Sequence, residues 1–308
     1  MINSYLKLAY TLFGWYFTKN ELKYHKLREN LIKSRLNLSF DIYLSGAFLT
    51  SLITAIFGTI IVNILLNYYS IPLYLVEITR DVIWLAPLME YISILFHLII
   101  SVLIGIALIL VVYTSWKLYP RFIAQKRAQD IDQKLAYAIS FISSMSDAGV
   151  LPIDLYKSLA KNHNYGTIAS ESNFLVKNVE ELGHDLVTAT RILAKTTPSE
   201  KFANFLLGTI TVITSGGQLK PYLFQKSEQF FLEKQQEQDE FIDVLNLLGE
   251  TYVAAFVAGP LFLIIVIAIM SLIGGDANIA VLQLIIYLII PIGNVLFIGL
   301  VHSMTPEV

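Results

Sequence analysis

The chain has 308 residues, of which 55% are hydrophobic and only 15% are charged. A soluble globular domain carries roughly a quarter charged residues, so this composition excludes an ordinary soluble protein. The net charge of −2 provides no basic field of the kind that binds nucleic acid. Because the chain has no cysteine, disulfides, thiolate metal sites and cysteine nucleophiles are excluded as well.

The N-terminal segment, residues 1–42, is basic and rich in aromatic residues. It lacks the apolar core and the small-residue cleavage site of a signal peptide. Its apolar side chains favour a helix that lies on the membrane surface or faces a partner, and a plain packed helix fits the pattern equally well. These side chains are Tyr5, Leu6, Leu8, Leu12, Phe13, Trp15, Tyr16 and Phe17.

Four uncharged stretches are long enough to cross a bilayer, which needs about 20 apolar residues in a helix. We predict transmembrane helices at 43–67, 90–114, 251–273 and 279–301. The first pair encloses a loop at about 68–89, and the second pair encloses a short turn at 274–278. The fold class predicted is therefore all-α: a polytopic membrane protein with four transmembrane helices.

Between the two hairpins, residues 115–250 are predicted to form a bundle of about six helices, made of two related helical hairpins. A helix over 122–148 ends at Gly149, and Pro152 opens the next one. A helix over 168–182 ends near Gly183. The last helix is predicted to run from Leu219 or Pro221 into the third span, at 251–273, without a break. The segment 251–308 is predicted to hold the third and fourth spans.

Two capping signals mark the middle of this domain. Asp185 is predicted to cap the helix that follows it. Thr197-Pro198-Ser199-Glu200 is predicted to form a capping box with Thr197 as the cap and the proline in the first helical position. The helix that follows buries Phe202, Phe205, Leu206, Thr209, Val212 and Ile213 and stops at Gly216 and Gly217.

Basic residues predict the orientation, because lysine and arginine cluster on the cytoplasmic side of membrane proteins. Seven lie before the first span, fourteen lie between the second and third spans, and only Arg80 lies between the first two. We therefore expect both termini and the domain at 115–250 on the cytoplasmic side of the cytoplasmic membrane.

Three segments in order carry a family resemblance: SSMSDAGVLPIDLYKSL at 143–159, ELGHDLVTATRIL at 181–193 and VITSGGQLKPYL at 212–223. They resemble the type II secretion F family, the platform proteins of type IV pili, secretion systems and archaella. The membrane half, with ETYVAAFVAGPLFLIIVIAI at 250–269 and IIYLIIPIGNVLFI at 285–298, is similar to the archaeal branch. The family's turns correspond to Gly149, Pro152, Gly183, Gly216 and Gly217.

The resemblance implies a non-enzymatic platform without cofactor or metal, which couples a cytoplasmic hexameric ATPase to pilin or archaellin extraction and filament assembly. The chain contains no Walker A pattern, which agrees with energy supplied by a partner. We expect pairing with a second copy of the chain or with a second half-length platform protein. A small secondary transporter, or a transporter accessory subunit, is the alternative function.

Three further features have open interpretations. Glu233, Glu237 and Glu240 make the helix before the third span acidic, which fits either a docking face for the ATPase or a solvated surface. Pro260 and Pro291 are predicted to kink the third and fourth spans, either for motion or for static shape. Polar groups within spans indicate interhelical hydrogen bonds or an ion path; they are Asn63, His97, Gln283, Asn294 and His302.

Overall fold

The computed structural model describes residues 4–19, 24–36, 38–68, 86–274 and 283–304. Every regular element within these ranges is helical, which confirms the all-α prediction. The chain divides into two compact units, Met1–Glu228 and Gln229–Val308.

Within the described ranges, the first unit contains eight complete α-helices and a short 3₁₀ helix, His163–Tyr165. The α-helices are α1 (Ser4–Thr18), α2 (His25–Lys33), α3 (Phe40–Tyr68), α4 (Ala86–Asp147), α5 (Pro152–Lys161), α6 (Thr167–Glu180), α7 (Leu186–Thr196) and α8 (Glu200–Thr214). A longer helix, α9 (Leu219–Tyr252), begins in the first unit and continues in the second. There it leads into a wide π-helical turn (Val253–Ala258), α10 (Gly259–Gly274), a second π-helical turn (Ile285–Ile289) and α11 (Ile290–Met304).

Three helical stretches of the described chain are long and apolar enough to cross a membrane: Phe40–Ile64, Ile99–Asp147 and Leu219–Met270. Each of them overlaps one of the first three predicted spans, at 43–67, 90–114 and 251–273. The fourth predicted span overlaps a shorter apolar stretch, Ile286–His302, so the count of four spans stays a prediction. The predicted loop at 68–89 and the turn at 274–278 lie mostly outside the described residues.

The second span and the first bundle helix form one helix, although the sequence indicates a separate helix that starts at 122. Helix α4 runs for 62 residues and contains Pro120. A proline has no N–H, so the carbonyl four residues earlier, that of Trp116, loses its helical donor. The buried Tyr43 hydroxyl of α3 donates a hydrogen bond of 2.7 Å to that carbonyl. Because a side chain replaces the missing donor, the helix continues through the proline.

The predicted helix ends are confirmed where glycine was expected to stop a helix. Gly149, Gly183 and Gly216 follow α4, α6 and α8 with φ of +79°, +70° and +72°, in the left-handed region. The predicted cap of α7 is confirmed too, since the Asp185 carboxylate accepts a 3.0 Å hydrogen bond from the Thr188 N–H.

The predicted capping box before α8 is wrong by two residues. Ser199, not Thr197, is the cap: its hydroxyl accepts a 3.0 Å hydrogen bond from the Phe202 N–H, and the helix begins at Glu200. Thr197 instead belongs to the end of α7, because its N–H donates to the Leu193 carbonyl at 2.9 Å. The proline therefore lies outside the helix rather than in its first position.

The bundle core sits between α4 and the two hairpins α5–α6 and α7–α8. Ile131, Leu135, Ala138 and Ile142 are buried on α4. Of the face predicted on α8, Phe202, Phe205, Leu206 and Thr209 are buried, and Val212 and Ile213 are only partly buried because they lie near the exposed end of the helix. The stacked rings of Phe205 and Tyr222 lie 5.9 Å apart, which brings the start of α9 onto α8.

In the second unit, both prolines follow a widened turn. Pro260 is the second residue of α10 and Pro291 is the second residue of α11, and a π-helical turn immediately precedes each helix. The first π-helical turn packs on α11 through the ring of Phe256, which lies against Gly293. A Cβ atom added at position 293 would lie 2.1 Å from Phe256 Cε1, so any larger residue would clash with this ring. Glycine at 293 thus allows the two helices to approach closely.

Candidate functional site: a buried charge cluster and the surfaces around it

A fully buried carboxylate, that of Glu171 on α6, joins three parts of the first unit. Arg35, which follows α2, donates two hydrogen bonds to it, from Nη2 to Oε2 at 2.5 Å and from Nε to Oε1 at 3.2 Å. Arg127 of α4 donates from Nη2 to Oε1 at 2.6 Å. The paired geometry with Arg35 is the strong, directional form of an arginine–carboxylate contact.

Arg35 has the most constrained position in this cluster. It is the one non-glycine residue of the described chain with a positive φ, +56°, at a helix end where glycine is usual. Its guanidinium carbon lies 3.7 Å from the centre of the Phe174 ring, and its Nη2 also donates to the Thr196 hydroxyl at 3.2 Å. A left-handed backbone costs roughly 1–2 kcal/mol, which these contacts offset.

Asp130 of α4 positions the helix that carries Glu171. Its carboxylate accepts a 2.6 Å hydrogen bond from the Thr167 N–H, at the start of α6, and a second of 2.6 Å from the Lys134 ammonium. Burial acts to raise the pKa of Asp130, but the hydrogen bonds from Lys134 and Thr167 outweigh it and the pKa is lowered. Gly166 leaves room for this contact, because an added Cβ would lie 2.6 Å from Asp130 Oδ2.

The cluster ties the segment that precedes the first span to the helical bundle. Helix α2 adds the buried Leu27 and Leu31 to the same junction, and α2 packs on α3, α4 and α7. Sequence reasoning missed the cluster, since Arg35 and Glu171 are separated by 136 positions and no local pattern marks them. From the sequence, Arg35 contributed only to the distribution of basic residues that predicts the orientation in the membrane.

The family's turn residues lie together at the other end of the bundle. Helices α4, α6 and α8 end there, at Gly149, Gly183 and Gly216. Two ion pairs of 2.5 Å, Asp147–Lys220 and Lys157–Glu180, connect neighbouring helices at this end. We call it the distal end, because α4 extends about 40 Å from Pro120 to reach it, at about 1.5 Å per residue.

The distal end carries large exposed apolar side chains. Leu151, beside Pro152, is 65% exposed and Leu182, beside Gly183, is 66% exposed. An added Cβ at Gly149, Gly183 or Gly216 would meet no atom within 4 Å. These glycines are therefore required for their backbone angle and not for space, and the turns they form present the two leucines to the surroundings.

The acidic residues predicted as a docking face share one side of α9. Glu237 and Glu240 are exposed, and Glu233 is partly buried and accepts a 2.8 Å hydrogen bond from the Gln229 amide. Between 229 and 250 there are six acidic residues and one lysine. This arrangement supports a negative surface but does not by itself distinguish docking from solvation.

The polar groups predicted within spans belong to both units and are described one by one. The Asn63 amide donates to the Thr59 carbonyl of its own helix at 2.8 Å. The amide oxygen of Asn294 is buried and accepts no hydrogen bond within the described part of the chain. Gln283 and His302 are exposed, and the side chain of His97 lies outside the described residues. The interhelical hydrogen bonds and the ion path therefore both stay predictions.

Residues 138–267 match the family model of type II secretion system protein F. An uncharacterized protein of Methanocaldococcus jannaschii is 29% identical over 197 residues, which cover 62% of this chain and 33% of that protein. Flagella accessory protein J of the same organism is 27% identical over 146 residues, covering 47% of this chain and 26% of that protein.

The chain thus spans only about a third and a quarter of the length of these two curated relatives. No solved structure matches. The helical bundle, the apolar helices and these similarities agree, and residues 138–267 are similar to the type II secretion system protein F family.

Proposed function

We propose that this chain is the membrane platform of a type IV filament machine, related to those of archaella and archaeal pili. The observation that carries the proposal is a secretion-F domain within a chain whose helices are apolar enough to cross a membrane. One relative, Flagella accessory protein J, bears a name that points to a filament. In this role the chain is a scaffold and not an enzyme.

The platform lies in the cytoplasmic membrane with residues 1–42 and 115–250 on the cytoplasmic side. The distribution of basic residues supports this orientation, with Arg80 as the single exception. The two hairpins, 43–114 and 251–308, then hold the bundle beneath the growing filament. A second copy of the chain, or a second half-length platform protein, completes the assembly.

The energy comes from a hexameric cytoplasmic ATPase, which pushes on the bundle and thereby drives extraction of pilin or archaellin subunits. Two surfaces are suited to receive it. The acidic side of α9, with Glu233, Glu237 and Glu240, suits a basic patch on the ATPase. The distal end, with Leu151 and Leu182, offers exposed apolar side chains framed by mixed charges. The charge cluster at Glu171 then links motion of the bundle to the segment before the first span.

The ATPase contact is tested by co-purification of the ATPase with tagged full-length variants. We expect Glu237→Lys with Glu240→Lys to reduce recovery of the ATPase at least several-fold, and more strongly at low salt, because screening weakens such attraction. The matched control reverses Glu200 and Glu228, which are also exposed. On α9, Glu228 points away from the acidic side, at about 100° per residue.

The distal end is tested in the same assay by Leu151→Asp with Leu182→Asp. Leu207→Asp is the control, because Leu207 is an exposed leucine on the side of the bundle. Full recovery of the ATPase with both charge reversals and both distal substitutions would contradict docking at these surfaces. Unchanged surface filaments after deletion of the gene would contradict the platform function itself.

A further inference from the structure

Helix α1 has three distinct sides. Its inner side packs on α3, with Ala9 and Phe17 buried and the rings of Phe13 and Phe48 4.8 Å apart. A narrow polar side carries Lys7 and Thr11. The third side, which we call the outer face, is apolar and exposed: Leu8 is 56%, Leu12 is 61% and Trp15 is 78% exposed.

The contacts of α1 fix its level along the first span. Leu6 reaches Gly46, since an added Cβ there would lie 2.7 Å from Leu6 Cδ2, and Phe13 contacts Phe48. The continuous exposed apolar surface of α3 begins just beyond, at Leu52. Helix α1 thus lies at the end of the apolar stretch, where a bilayer changes from hydrocarbon to headgroups.

The composition at this level is that of a membrane interface. The partly buried Trp116 ring lies 5.3 Å from that of the buried Tyr43, which places its indole at the same end of the two spans, and the exposed Trp15 of α1 adds another indole. Tryptophan and tyrosine favour the interfacial region, because their rings are apolar and their polar atoms can reach water. Lysine on the polar side of a helix is typical of helices that lie in this plane.

We propose that the outer face of α1 is immersed in the lipid interface of the membrane leaflet next to the bundle. Leu8, Leu12 and Trp15 then contact acyl chains and glycerol groups, and Lys7 faces the aqueous side. The helix extends the lipid-facing surface of α3 sideways and anchors the segment that Arg35 ties to the bundle. The proposal depends on the first span crossing the membrane and not on the filament function.

The absence of cysteine allows a clean test in the full-length chain. Leu12→Cys and Leu151→Cys are each modified with a nitroxide spin label in vesicles of phosphatidylcholine and phosphatidylglycerol. The two leucines form a matched pair, because their exposed fractions are 61% and 65% but only the first is assigned to lipid. Accessibility to oxygen, which concentrates in lipid, is compared with accessibility to a water-soluble nickel chelate.

We expect the ratio of oxygen to nickel accessibility to be several-fold higher at position 12 than at position 151. A label at Lys7→Cys should behave like the one at position 151. Equal ratios at 12 and 151 would place the outer face in water and overturn the proposal. Low accessibility to both reagents at position 12 would indicate a protein partner on this face and overturn it equally. If Leu12→Cys does not fold, Leu8→Cys provides the same comparison.

Discussion

Replacing Glu171 with glutamine removes one charge from the centre of the cluster without changing the shape of the side chain. Two guanidinium groups then face a neutral amide, whose NH₂ group cannot accept their hydrogen bonds. Removing one partner of a buried ion pair costs about 3–5 kcal/mol. We expect the lower end, about 3 kcal/mol, because the side chains of Arg35 and Arg127 are 21% and 22% exposed and can reach water.

The assay is thermal unfolding of the purified full-length chain in detergent. A loss of about 3 kcal/mol lowers the midpoint by about 6–12 °C in a unit the size of Met1–Glu228, which contains the cluster. Glu181→Gln is the control, because Glu181 is exposed, and a substitution of this kind changes stability by less than about 0.5 kcal/mol. Arg35→Gly is informative as well, since glycine relieves the positive φ and any remaining loss is a lower bound on the guanidinium contacts.

Equal midpoints for Glu171→Gln and Glu181→Gln would refute the reasoning, because the cluster would then contribute no net stability. A loss in Glu171→Gln without any loss in Arg35→Gly would mean that the guanidinium contacts of Arg35 contribute no more than the backbone strain that glycine relieves, roughly 1–2 kcal/mol. In that case, the link between the bundle and the segment before the first span would depend mainly on the apolar contacts of α2.

Three further predictions concern single contacts. Tyr43→Phe should lower the free energy of unfolding by about 1–2 kcal/mol in the wild type. In a Pro120→Ala background the loss should be clearly smaller, because the restored N–H of residue 120 can donate to the Trp116 carbonyl in place of the hydroxyl. Equal losses in both backgrounds would contradict this account. The wild type should be more stable than Asp130→Asn above about pH 4, where the Asp130 carboxylate is charged. This difference in stability should vanish as the pH falls through the lowered pKa of Asp130. A difference that persists at low pH would show that the charge of Asp130 is not its source. Gly293→Ala should lower the thermal midpoint because of the Phe256 ring, whereas Gly299→Ala, with no atom within 4 Å of its Cβ, should not; equal effects would exclude the close approach.

Much of the fold follows from local sequence signals. Glycine with positive φ, proline in the first turn and an aspartate cap each act within a few residues, so Gly149, Pro152 and Asp185 could be assigned from the sequence. Where two local signals compete, the prediction failed: Thr197 and Ser199 can both cap a helix, and the end of α7 takes the first of them.

The contacts that join distant segments could not be predicted. The continuity of α4 through Pro120 depends on Tyr43, which is 73 positions from the carbonyl that it contacts. The partners of Glu171 come from the turn after α2 and from α4, and nothing in its local sequence indicates burial. Glu233, Glu237 and Glu240 remain a predicted docking face, because their position on α9 agrees with either interpretation.

The platform function is tested most directly by counting surface filaments in cells that lack this gene and carry plasmid copies of it. The account predicts no filaments in the deletion strain, full restoration by the wild-type copy, and few filaments with the copy that carries Glu237→Lys and Glu240→Lys. Normal filaments in the deletion strain, with the associated ATPase still at the membrane, would contradict the account.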